Sequence, residues 1–187
     1  MRFLRQAIKN PKTTGAVIAS SSFLAECIVE KAKLSSAKVV VELGVGTGAF
    51  TKKILEGLEK DAQYLGIEIN QDFVNIVRQE YPGATIIHDS AENLRTHLHE
   101  NGHETCDRII SGIPWAAIEY ELQESLLAEI YASLSEGGLF LTFAYWPINH
   151  MKNGKSFNQK LQKYFNSVER TAITLNLPPA FVYICQC

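Results

Sequence analysis

Three acids and three glycines are the residues here with the most evident chemistry. Glu42 ends the apolar run that starts at Val39, and Gly44, Gly46 and Gly48 follow at every second position. A strand that ends in such a loop and opens a helix holds a nucleotide-like ligand, because glycines permit a tight turn and a close approach of ligand to backbone. Gly44, Gly46 and Ala49 also satisfy the dinucleotide pattern. Glu42 argues against that ligand. A carboxylate two residues before the loop repels pyrophosphate and suits a ligand with an ammonium or sulfonium group. Glu68, followed by Ile69 in GIEIN, can take both hydroxyls of a ribose; each hydrogen bond to a charged group contributes about 1.5–3 kcal/mol. In HDSAENL, Asp89 is placed to accept from an adenine amino group, with the Ser90 and Ala91 backbone at the ring edge.

These residues need parallel strands to bring them to one edge. The pattern predicts strands at Lys38–Leu43, Tyr64–Ile69, Thr85–His88, Arg108–Ser111, Leu139–Tyr145, Arg170–Leu175 and Ala180–Cys185. Leu122, Leu126 and Ile130, widened by Leu127 and Leu134, recur at helical spacing. The Gly137-Gly138 pair is expected to end that helix, and Phe157, Leu161 and Phe165 mark another. Strand–helix alternation implies a parallel α/β sheet. The short link from Asn176 to Pro179 fits an antiparallel pair. The expected fold is Rossmann-like, of the class I methyltransferase outline. It has a seven-stranded, mostly parallel sheet, a C-terminal antiparallel hairpin and helices on both faces. One domain is expected over residues 1–187, with a helical segment over 1–35 and the core over 36–187.

Composition sets bounds. The chain has 187 residues, 46% hydrophobic and 20% charged, with a net charge of −2. That reads as a soluble globular protein without a broad nucleic-acid surface. Both ends are basic: Arg2, Arg5, Lys9 and Lys12 at one, Lys152, Lys155, Lys160, Lys163 and Arg170 at the other. Cys27, Cys106, Cys185 and Cys187 form no CxxC pair, so reduced cytosolic thiols are expected and no metal site. No apolar run approaches the roughly 20 residues that span a bilayer.

Glu42, the glycines, Glu68 and Asp89 together resemble motifs I to III of S-adenosylmethionine (SAM) methyltransferases. The resemblance implies SAM as cofactor and S-adenosylhomocysteine as product. A narrower resemblance runs through GAVIASSSFLA (Gly15–Ala25), VELGVGTGAFT (Val41–Thr51), SGIP (Ser111–Pro114), FLTFAY (Phe140–Tyr145) and NLPPAFVY (Asn176–Tyr183). It is to the soluble bacterial phospholipid N-methyltransferases, which methylate phosphatidylethanolamine stepwise toward phosphatidylcholine. Ala19 and Ser22 stand where that family usually has Pro and Arg, and Val45 where it has Pro. An ornithine lipid therefore stays open as acceptor. So do an RNA adenine N6-dimethyltransferase, against which SGIPW stands, and methylation of a small-molecule amine.

A helix over residues 2–10 would gather Phe3, Leu4, Ala7 and Ile8 on one face, with Arg2, Arg5 and Lys9 opposite. Such a helix either suits an anionic membrane surface, at about 1 kcal/mol per basic residue near lipid, or docks its apolar stripe on the domain with its charges in solvent. The expected location is cytoplasmic, at the inner face of the cell membrane. Attack by a neutral lipid amine needs a proton acceptor, and Ser111, Tyr145 and His150 are the polar candidates. Trp115, Tyr145 and Trp146 either face the methylated cations or pack in the core. Ser20 and Ser21 either cap a helix or touch the headgroup phosphate.

Overall fold

The computed structural model describes residues 22–146, 152–173 and 178–187. Seven strands form one sheet: β1 Val39–Leu43, β2 Gln63–Glu68, β3 Thr85–His88, β4 Cys106–Ser111, β5 Leu134–Tyr145, β6 Ser167–Arg170 and β7 Ala180–Gln186. Their order is β3-β2-β1-β4-β5-β7-β6. The first five run parallel, and β7 enters antiparallel between β5 and β6. The chain reverses its walk across the sheet at β1 and β4, and the crevice at such a switch point is where α/β sheets bind ligands.

Among the described residues six α-helices cover the sheet: α1 Ser22–Ala32, α2 Ala49–Gly57, α3 Gln71–Glu80, α4 Leu94–Glu100, α5 Tyr120–Ser133 and α6 Lys152–Tyr164. All five residues of β1 are buried, as expected of a strand covered on both faces. Val39, Val41 and Leu43 join the core under α4, α5 and α6, with Leu94, Leu127, Ile130 and Leu161. Val40 joins the opposite core with Leu24, Ile28, Ile54 and Val74 from α1, α2 and α3.

Local chemistry fixes the ends. The Asn70 side chain accepts from the backbone N–H of Asp72 and Phe73, capping α3. One oxygen of Asp107 accepts from the N–H of Lys38 at 2.7 Å and of Val39 at 2.9 Å, so β4 holds the start of β1. The Arg108 guanidinium donates to the Ala32 carbonyl and to Ser36, tying the end of α1 to the start of β4. Helix α1 thus runs against β4 and points its first residues toward the C-terminal strand ends.

Two expectations from the sequence need correction. Gly137-Gly138 does not end a helix. Helix α5 stops at Ser133, and Leu134 already pairs with Cys106 as the first residue of β5. The glycines lie in a bulge where the register shifts between Cys106 and Arg108. Gly137 has φ +72, and a Cβ on Gly138 would lie 2.8 Å from the Ser135 carbonyl, so the pair serves the bulge. Strand β6 begins earlier than predicted and pairs only from Ser167 to Arg170. Just beyond it, the Thr171 hydroxyl accepts from Val182 N–H and donates to the Ala172 carbonyl. A side chain there takes the place of a ladder partner. Residues 174–177 lie outside the described residues, as does the predicted helix over 2–10.

Replacing Asp107 by Ala removes the acceptor of two backbone donors. Stability should fall by about 1–3 kcal/mol. Urea unfolding should show a lower midpoint with unchanged slope.

Candidate functional site

The C-terminal ends of β1, β2, β3 and β4 converge on one cleft edge, as their parallel registers require. Gly44, Gly46 and Gly48 all take positive φ, at +74, +56 and +83. At Gly46 a side chain would meet nothing within 4 Å, so backbone rather than side chain lines the space above the loop. The neighbouring strand pins that loop. One Glu68 oxygen accepts from Gly46 N–H at 2.9 Å and the other from Asn70 N–H at 2.8 Å. Ile69 follows, its carbonyl 3.1 Å from His88 Nε2.

Asp89 sits one step further along the edge, its N–H bonded to the Glu68 carbonyl. Its own oxygens accept from Ser90 N–H, Asn93 Nδ2 and His97 Nε2. Burial pushes this carboxyl up, but the bonds from Asn93, Ser90 and His97 outweigh it and hold the group below the usual range. Ser90 Oγ accepts from Glu92 N–H and opens the turn Ala91–Asn93. His97 was not legible as a site residue, because its link to Asp89 spans a loop and a helix turn.

The loop after β4 packs directly on the glycine loop. A Cβ on Gly112 would lie 2.5 Å from the Gly44 carbonyl oxygen, so only glycine fits at this crossing. Ser111 is fully buried. Its hydroxyl oxygen accepts from Ile113 N–H and Trp115 Nε1, both at 3.2 Å. Trp115 is a core residue, stacked on Phe157 at 4.8 Å and edge-on to Phe140. Gln123 Nε2 donates to the Trp115 and Ile118 carbonyls, and the buried Lys160 ammonium donates to Gln123 Oε1 and the Tyr120 carbonyl. Helix α6 thereby braces the loop. Burial lowers the Lys160 pKa.

Tyr145 is half-buried, edge-on to Phe143, which meets Phe50 just beyond the glycine loop; burial raises its phenol. Trp146 is about half exposed, at 48%. Arg2, Phe3, Arg5, Lys9, Ser20, Ser21 and His150 lie outside the described residues. Among the described residues no group of three His, Cys, Asp or Glu could hold a metal. No described helix is long and apolar enough to cross a membrane.

Glu42 is fully buried. Its Oε2 accepts from the Tyr64 hydroxyl at 2.6 Å and from the Thr51 hydroxyl at 2.8 Å. Its Oε1 is the one buried side-chain polar atom without a partner among the described residues. Burial, with smaller opposing effects from these hydroxyls, pushes the carboxyl up to about 7. Glu68 is raised as well, by burial, against the bonds from Gly46 and Asn70. Two acids and an orphaned acceptor beside a bare backbone cradle fit a ligand with a cationic amine and a sugar, and disfavour a pyrophosphate. Thr51 and Tyr64 were missed from sequence because one lies a helix turn beyond the loop and the other on the neighbouring strand.

Residues 40–138 match the family model described as "Methyltransferase domain". Over 187 residues the chain is 27% identical to an ornithine lipid N-methyltransferase of Singulisphaera acidiphila, covering 98% of this chain and 94% of that one. Ribosomal RNA small subunit methyltransferase A of Chlorobium phaeobacteroides is 33% identical over 89 residues, 48% of this chain and 32% of that protein's length. Among solved structures, an O-methyltransferase from Bacillus cereus in complex with SAH superposes with a TM-score of 0.69 at 11% identity, covering 100% of this chain and 91% of that one. The N-methyltransferase NodS from Bradyrhizobium japonicum gives 0.66 at 13% identity, covering 84% and 91%.

The raised Glu42 carboxyl has a stability consequence. Its neutral form suits the ligand-free fold, so its contribution is fully present below the ordinary value of 4.5 and is lost as pH rises through about 7. Glu42→Gln should remove that part of the slope. Thermal melts without ligand between pH 5 and 8 should show a flatter profile for the variant than for the wild type.

Proposed function

We propose that this chain, which belongs to the methyltransferase domain family, methylates the amino headgroup of a membrane lipid. The class and cofactor follow from the family: it is a SAM-dependent methyltransferase. The lipid acceptor is supported chiefly by one observation, the end-to-end likeness to an ornithine lipid N-methyltransferase. The ribosomal RNA relatives align with under half of this chain.

Three exposed apolar side chains support a membrane-facing edge. Phe23 lies in the first turn of α1, Trp146 follows β5 and Ile173 follows β6, with exposures of 60%, 48% and 50%. By the directions of α1, β5 and β6, all three lie toward the C-terminal strand ends, the same edge as the glycine loop. Together with the basic N-terminal segment carrying Arg2, Phe3, Arg5 and Lys9, they suit a peripheral protein that meets an anionic bilayer at its active edge.

In the mechanism we assign, Glu42, Gly44, Gly46, Gly48 and Glu68 hold the cofactor's amine and sugar, and Asp89, Ser90 and Ala91 its base. Bound SAM supplies a methyl group already activated by the sulfonium, so the protein's work is positioning and electrostatics. The Ser111 hydroxyl organises the acceptor loop. The Ser111 carbonyl takes the Thr142 hydroxyl and the Ile113 carbonyl takes Trp115 N–H. We assign the Gly112 carbonyl to accept from the lipid amine. His150 would receive the proton the amine gives up, or Tyr145 would relay it onward by passing on its own, and Tyr145 and Trp146 would offer ring faces to methylated products.

Incubation with labelled SAM and anionic liposomes should transfer label to lipid. Separate arms holding phosphatidylethanolamine and an ornithine lipid identify the acceptor, and an RNA arm tests the competing class. Label in RNA alone would overturn the lipid reading. Replacing Arg2, Arg5 and Lys9 by Glu should abolish liposome binding while leaving SAM affinity unchanged in calorimetry. Surviving liposome binding would remove the N-terminal segment from the membrane contact.

A further inference from the structure

The two oxygens of Glu42 are treated unequally. Hydroxyls from two different elements, Tyr64 on β2 and Thr51 on α2, converge on Oε2, while Oε1 has no partner among the described residues. A buried acceptor left unpaired costs free energy, so its persistence points to a partner that arrives with a ligand. The Tyr64 hydroxyl also lies where it does only because residue 66 is glycine. A Cβ on Gly66 would stand 2.7 Å from that hydroxyl and 2.9 Å from both Ile86 Cδ1 and Val45 Cγ2. The phenol is itself buried, and burial beside the Glu42 carboxyl raises its pKa well above the ordinary value, so it remains a donor at neutral pH.

We propose that Tyr64 is a positioning residue for cofactor binding: with Thr51 it anchors Oε2 of Glu42 and keeps Oε1 as the acceptor for the cofactor's cationic amine, in space that Gly66 leaves open. This rests on Glu42 belonging to the cofactor site, as assigned above. It also makes binding proton-linked. Among the described residues, the titratable groups that face Glu42 are Tyr64 and Glu68 from β2 and Tyr81 after α3, and none of these is a cation. Without ligand the carboxyl is therefore partly protonated near neutral pH. A cationic amine at Oε1 favours the carboxylate, so binding expels that proton, and affinity falls as pH falls through about 7. The Tyr64 and Thr51 hydroxyls favour the ionised form, so losing either moves this midpoint upward.

The test is calorimetric titration of the full-length, ligand-free protein with S-adenosylhomocysteine from pH 6 to 8.5, repeated in buffers of different ionisation heat. Wild type should release protons on binding near neutral pH. Tyr64→Phe, with folding checked by thermal melts, should bind roughly tenfold more weakly at pH 7, about the effect of one lost hydrogen bond to a charged group. Its pH midpoint should move upward, a readout that a purely packing role for the phenol would not shift. Tyr64→Phe with wild-type affinity and a wild-type profile overturns the proposal. Should that variant not fold, Thr51→Val removes the companion hydroxyl and is read by the same two outcomes. Glu42→Gln should bind weakly with a flat profile. If it binds as wild type does, the assignment of Glu42 to the cofactor site fails, and the role of Tyr64 with it.

Discussion

The arrangement of this molecule turns on two carboxylates carried at the tips of adjacent parallel strands, with no basic side chain bonded to either among the described residues. Glu42 and Glu68 are both buried and both raised by that burial. Such groups are costly unless something holds them. Here the holding is done by neutral donors: backbone N–H groups for Glu68, and two hydroxyls for Glu42. A lysine or arginine would hold them more tightly, but it would also satisfy the charge that these neutral donors leave unmatched.

Around this pair, the sheet brings two loops together. The backbone of Gly44 and that of Gly112 approach so closely that neither strand end can move without the other. The glycine loop and the loop after β4 are therefore one mechanical unit. Its outer side is clamped by Trp115, Gln123 and Lys160, which carry the constraint to α6. Coupling of this kind suits a transfer reaction, where rate depends on holding two reactants in line.

Much of this was legible in the sequence, and for a reason. The alternation of strands and helices, the glycine loop and the acids at the strand ends are set by local pattern: apolar runs, helical spacing and residues at strand termini. Parallel strands then place those termini at one edge without further information. What escaped was set by partners distant in sequence. Trp115 reads equally as a surface aromatic or a core ring until Phe157 is stacked on it. Tyr64 carries no signal of its own until β2 lies beside β1. Gly137 and Gly138 look like a helix stop, and only pairing with β4 makes them a bulge. The Thr171 hydroxyl bonds that follow the short β6 likewise depend on β7.

The chain contains two tryptophans, and the fold gives them opposite surroundings. Trp115 is enclosed in the core beneath the acceptor loop, and Trp146 is half exposed at the outer edge of the sheet. An indole sealed from water emits at shorter wavelength and is shielded from dissolved quenchers, whereas an exposed one is not. The protein therefore carries two native optical reporters. One senses the packing of the loop after β4, and the other senses whatever surface settles against that edge, without any label being attached.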